Sequence, residues 1–198
     1  RDALVEGVRS HGLSLLPWGQ AADRLRQRAA FAGVTGLDDA ALCETLDLWL
    51  APLVAGKRRL SEIDAGALHL ALTGLMGWDA QKRIERLAPA DFRSPAGTTH
   101  PIDYGAEAGP TVVLRVQALF GIAVHPCVGE NQVPLVLSLT SPPGRPIQTT
   151  RDLPGFWAGS WADVAKEMRG RYPKHNWPED PSGAVASLKT KKALARKP

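Results

Sequence analysis

Thr111-Val112-Val113-Leu114-Arg115-Val116 is the run on which the reading of the fold turns. Three of its six residues are valine and a fourth is threonine, and β-branched side chains pack well on a pleated backbone. It predicts a strand. Upstream, Thr98, His100, Ile102 and Tyr104 recur at every second position after Ser94-Pro95-Ala96-Gly97. A period of two behind a proline–glycine turn predicts a hairpin. Downstream, Gln117 to Ile122 reads as one helical turn closed by Gly121, and Val133 to Thr140 as another strand with Pro134 near its start. Ser141-Pro142-Pro143-Gly144 is a turn, and Ile147 to Thr150 returns as a strand.

About five short strands with a helical turn between the third and fourth match the order of an OB-fold. A small meander packed on helices reads the same way. The expected class is therefore α+β: an N-terminal helical bundle, a small five-stranded OB-like β-barrel, then a C-terminal helix with an irregular extension. The expected boundaries are a helical region at 1–89, the barrel at 90–151, the helix and extension at 152–181, and a basic flexible tail at 182–198.

The helices follow from a different period. Trp18, Ala22, Leu25 and Ala29 are spaced four, three and four, and the predicted helix ends near Gly33. Asp38 and Asp39 are N-cap residues for a second helix through Leu42, Leu46, Trp49 and Leu50. Pro52 need not end it; Gly56 and the cations Lys57-Arg58-Arg59 suit its C-terminus. Ser61 or Asp64 caps a third helix through Leu68, Leu72, Leu75 and Met76, and a fourth runs from Asp79 to Leu87. After the strands, Trp157, Trp161, Val164 and Met168 restore the helical spacing, with Asp152 or Ser160 as cap and Gly170 as stop.

Charge is unevenly placed. Residues 1–143 carry net −2, whereas residues 144–198 hold 11 Lys+Arg against 5 Asp+Glu. A basic end on a near-neutral body points to an acidic partner, most simply nucleic acid, or to a solvated tail. Cys43 and Cys127 are too few for a disulfide framework and fit a reducing cytoplasm. No apolar run approaches the roughly 18–20 residues of a membrane span. The chain opens on Arg1-Asp2-Ala3-Leu4, without Met, and is expected to begin inside a longer protein.

Catalytic patterns fail one by one. Val54-Ala55-Gly56-Lys57 lacks the earlier glycine of a phosphate loop, where Ala51 stands, and has Arg58 where Ser or Thr is required. No acidic box of the Asp-Glu-x-His type follows a strand. His125 and Cys127 lack a second pair at zinc spacing, and Cys127 reads better as a small buried hydrophobe. Asp38/Asp39 and Glu179/Asp180 look like a cap and a solvated loop. No catalytic residue, metal or cofactor is expected in this chain.

One long segment carries a resemblance. Arg145-Pro146-Ile147-Gln148-Thr149-Thr150-Arg151-Asp152-Leu153-Pro154-Gly155-Phe156-Trp157 leads into Lys166-Glu167-Met168-Arg169-Gly170-Arg171-Tyr172-Pro173-Lys174-His175-Asn176-Trp177-Pro178-Glu179-Asp180-Pro181. This resembles the C-terminal signature of HrpB-type bacterial helicases of the DEAH/RHA class. Leu16-Pro17-Trp18 with its basic helix, and Trp49-Leu50-Ala51-Pro52-Leu53, resemble the helicase-associated helical region. The resemblance implies an accessory part of an ATP-dependent RNA helicase. It implies that ATP and magnesium belong to two N-terminal RecA-like motor lobes of the same chain, and that single-stranded RNA, or DNA, is the partner. No membrane is implied.

The candidate nucleic-acid contacts are Arg145, Arg151, Arg169, Arg171, Lys174, His175 and Trp177. The cations can hold phosphates or bond carbonyls and acids within the fold. Trp157 and Trp161 lie on the apolar helix stripe and read as core. Trp177, between prolines, either stacks a base or pins the extension to the body. The rival reading is a purely structural interdomain module.

Overall fold

Where the apolar spacing is four, three and four, the chain is helical. The computed structural model describes residues 2–196; Arg1 and residues 197–198, the end of the expected basic tail, lie outside the described residues. The chain divides into two units, Arg1–Pro89 and Ala90–Pro198.

The first unit holds α1 (Asp2–His11), α2 (Gly19–Phe31), α3 (Asp39–Glu44), α4 (Leu46–Leu53), α5 (Ala65–Met76) and α6 (Trp78–Leu87). Asp38 and Asp64 each accept the backbone N–H three residues on, at 3.0 Å, so one otherwise unpaired donor of α3 and of α5 is satisfied. The single helix expected through Leu42 and Trp49 is two, broken at Thr45, whose hydroxyl donates to the Ala41 carbonyl at 2.8 Å. Pro52 stays inside α4. Gly77, at φ +80°, is the sole residue between α5 and α6, a conformation glycine adopts without strain. Leu42, Leu46, Leu50, Leu68, Leu72 and Ile84 are fully buried and make the core. The sequence pattern did not reveal α1, which buries Val5 and Val8.

The second unit corrects the expected barrel. β1 (Asp91–Arg93) and β2 (Thr99–Pro101) form an antiparallel hairpin. β3 (Thr111–Arg115), β6 (Val136–Thr140) and β7 (Pro146–Thr150) form a three-stranded sheet. β4 (Cys127–Val128) and β5 (Val133–Pro134) are a separate two-residue pair. Among the described residues there is no five-stranded sheet and no closed barrel. Three physical reasons account for this. β3 pairs parallel to β6, so residues 116–135 form a crossover and not a hairpin link. The expected strand from Val133 to Thr140 is interrupted: Pro134 has no N–H, and Leu135 donates to the Pro126 carbonyl instead. Finally, strands of two to five residues leave too short a ladder to close.

One face of the three-stranded sheet is apolar and buried through Val112, Leu114, Leu137 and Leu139. α7 (Leu153–Ala158) and α8 (Trp161–Arg171) replace the one helix expected there, with the break at Gly159. Asp152 caps α7 by accepting from Gly155 N at 3.0 Å, and Gly170 lies inside α8 without stopping it. α9 (Lys191–Ala195) is a short exposed helix within the expected tail.

Candidate nucleic-acid interface

The segment after α8 contains Pro173 and Pro178, which cannot donate to a backbone ladder. Side chains hold it instead. The Trp177 ring is 4% exposed, and its Nε1 donates to the Tyr172 carbonyl at 2.9 Å. Arg169 donates from Nε and Nη2 to the Trp177 carbonyl at 3.1 and 2.7 Å. Trp161 Nε1 donates to the Pro178 carbonyl at 2.9 Å. Around Trp161 stand the rings of Trp157, Phe120, Phe156 and Trp177, with centroids at 5.3, 5.5, 6.0 and 6.4 Å. Tilted and edge-on pairs at these distances add about 0.5–1.5 kcal/mol each beyond burial. In this arrangement the Trp177 face meets Trp161 and the His175 ring, not solvent.

His175 faces inward as well. Its Nδ1 lies 3.1 Å from Gln117 Nε2, on the buried 3₁₀ turn Val116–Leu119. Gln117 Oε1 is buried without a partner among the described residues. Burial, and then the positive charge of Arg115, hold the His175 imidazole below its ordinary range; a hydrogen bond with the Lys189 backbone opposes them. Lys174 projects outward, while its carbonyl accepts the Lys191 N–H at 2.8 Å.

The remaining candidates are dispersed. Arg145 is exposed at the turn between β6 and β7. Arg151 is exposed just after β7 and donates to the Ala108 carbonyl. Arg171 forms an exposed ion pair with Glu167 at 3.2 Å. No hydrogen bond or ion pair among the described residues joins Arg145 or Arg151 to Arg169, Arg171 or Lys174. The structure brings Arg169 to Trp177, Lys174 to the tail and His175 to Gln117.

Sequence reasoning missed Arg115, Gln117 and the seating of residues 189–191, because these contacts join positions far apart in sequence. It weighed His125 only as a metal ligand and missed that its Nδ1 accepts the Leu153 N–H at 2.9 Å. The His125 Nε2–H must therefore donate to the Leu135 carbonyl, at 2.7 Å, which fixes the tautomer. Cys127, two residues on, is exposed, not buried. No cluster of metal ligands exists among the described residues. The Gly56-Lys57 turn does not fit a nucleotide phosphate, since Ala55 and Lys57 N–H groups already donate to the Pro52 and Val54 carbonyls.

Comparison with known proteins agrees with the sequence signature. The family described as HrpB_C, ATP-dependent helicase C-terminal, matches residues 49–181. This chain belongs to that family, the C-terminal region of an ATP-dependent helicase. It is 39% identical over 198 residues to the ATP-dependent RNA helicase HrpB of Escherichia coli (strain K12), covering 96% of this chain and 24% of that protein. A crystal structure of the E. coli DExH-box NTPase HrpB matches with a TM-score of 0.85 and 38% identity, over 95% of this chain and 24% of that one. A second, of the Escherichia coli DEAH/RHA helicase HrpB, matches with a TM-score of 0.70 and 38% identity, over 88% of this chain and 23% of that one. The chain thus spans about a quarter of the length of each of these relatives. Among the described residues, no helix is long and apolar enough to cross a membrane.

Proposed function

We propose that this chain is a non-catalytic accessory module of a cytoplasmic ATP-dependent RNA helicase, contacting single-stranded RNA and supporting motor lobes that bind ATP and magnesium. The carrying observation is the net +6 of residues 144–198 in a chain of this family. Cations concentrated at one end attract a polyanion by releasing its condensed counterions, without reading bases. Support of the motor draws on the helical unit, where Leu48, Pro52, Leu53, Ala71 and Leu75 line an open apolar cleft between α4 and α5.

If about four cations contact phosphates, log K for a single-stranded oligonucleotide falls against log salt with a slope of about −3. A titration of this chain with labelled RNA across salt concentrations measures it. A flat salt dependence, or no binding at low salt, returns the module to a purely structural role. One observation favours that second reading: Arg169 and Trp177 are already committed to holding the extension. ATP turnover by the purified chain would overturn both readings.

A further inference from the structure

Most cations that form ion pairs in this protein do so on helices: Arg9 with Glu6 and Asp47, Arg26 with Asp39, Lys82 with Glu85, Arg171 with Glu167. Four others are gathered without one. Lys191 N–H donates to the Lys174 carbonyl, so these two residues spring from adjoining backbones. Lys189 lies two residues before Lys191, and Arg115 two residues before Gln117, whose Nε2 lies 3.1 Å from His175 Nδ1. The end of β3, the extension and the tail therefore converge on His175. Arg115, Lys174, Lys189 and Lys191 are all exposed, and none forms an ion pair with a carboxylate among the described residues.

Like charges on neighbouring segments repel one another, and a bound anion relieves that repulsion. We propose that Arg115, Lys174, Lys189 and Lys191 form a contact site for the sugar-phosphate backbone of single-stranded RNA, created where the tail crosses the extension. This rests on the RNA reading above and names its place. Three of the four are lysines, which meet phosphates as point charges without the planar fork that Arg uses on base edges. Trp177, the indole of this segment, is buried and cannot stack a base. The contact is therefore indifferent to sequence. An acidic protein segment is the other polyanion such a seam can hold; the similarity of the chain to an RNA helicase favours RNA.

The test compares this chain with K174A/K189A/K191A and with a control of equal charge, R24A/R58A/R59A, which removes exposed cations of the helical unit. Labelled 12-nucleotide oligo-U and oligo-A are titrated between 50 and 200 mM salt, with thermal melts alongside. The expected result is a slope less steep by about 2 for the seam variant, at about 0.7 per lost contact, and an unchanged slope for the control. Arg115→Ala alone should lessen it by about 0.7. Oligo-U and oligo-A should lose affinity equally. Binding by the wild type that both triple variants weaken alike would overturn the site, since net charge then suffices. Binding that the seam variant leaves unchanged overturns the site and leaves the RNA reading standing. Displacement of RNA by polyglutamate at equal charge concentration would reassign the seam to acidic protein. No wild-type binding at low salt removes the RNA reading, and this inference with it.

Discussion

The two units bury their interiors by different means. In Arg1–Pro89 the interior is mainly aliphatic: Leu42, Leu46, Leu50, Leu68 and Leu72 face inward from helices that satisfy most of their own backbone groups, with Trp49 buried beside Trp18. In Ala90–Pro198 much of the chain is irregular, and backbone carbonyls are met by side chains. Trp157 Nε1 donates to Ile122, Trp161 to Pro178, Trp177 to Tyr172, and Arg169 to Trp177. An indole supplies apolar area and a donor at once, so it can close a core and fix a loop together. The helical unit uses the device too, where Trp18 donates to the Leu13 carbonyl and Trp49 to the Leu42 carbonyl. The second unit, with few ladder bonds, closes its core with it.

That contrast is open to breakage. Trp161→Ala should have the largest effect, about 3–5 kcal/mol, because it opens a cavity in the ring cluster. The Pro178 carbonyl also loses its donor. Trp161→Phe restores most of the area without the N–H; if it recovers full stability in a chemical melt, the donor role is wrong. In the helical unit, Leu72→Ala should cost about 2–5 kcal/mol through its cavity alone, so Leu72→Met should recover nearly all of it. Next comes Asp64→Ala, costing about 1 kcal/mol as the cap of α5, with Asp64→Asn close to wild type in the same melts.

The smallest effect is a pH dependence confined to the second unit. Burial holds His100 below its ordinary range, and burial with the Arg115 charge does the same for His175. The unfolded chain therefore binds protons more readily than the folded one. The stabilising contribution is fully present above the unfolded value near 6.5 and is lost as pH falls through the folded values. The Tm of the second unit should thus decline from pH 7.5 to pH 5, and His100→Gln with His175→Gln should flatten the decline. An equal decline in the double variant would trace it to other groups.

The helical unit was legible because its signal is local. Spacings of four and three around Trp18, Leu42 and Leu68 mark faces, and Asp38 and Asp64 mark starts. The break at Thr45 escaped notice because nothing in the apolar pattern marks it. In the second unit the strand residues were recognisable and their pairing was not. Val112 and Leu137 read as strand from their own neighbourhoods, but nothing local says that they lie side by side and parallel. The candidate site divided in the same way. The motif named Lys174, His175 and Trp177. It could not show that Trp177 turns inward or that Lys191 returns to Lys174.

The parallel pairing of β3 with β6 has a kinetic consequence. Its ten residues meet only after the whole stretch 116–135 has looped round. The entropy of that closure is lost before any rung of the ladder forms. Helices of the first unit lose entropy a turn at a time and are rewarded within each turn. Relative contact order therefore assigns the two units different refolding rates, with the sheet the slower. While β6 waits for its partner, Val136-Leu137-Ser138-Leu139-Thr140 is an uncharged, apolar strand with open edges, and crowded refolding will aggregate through that segment first.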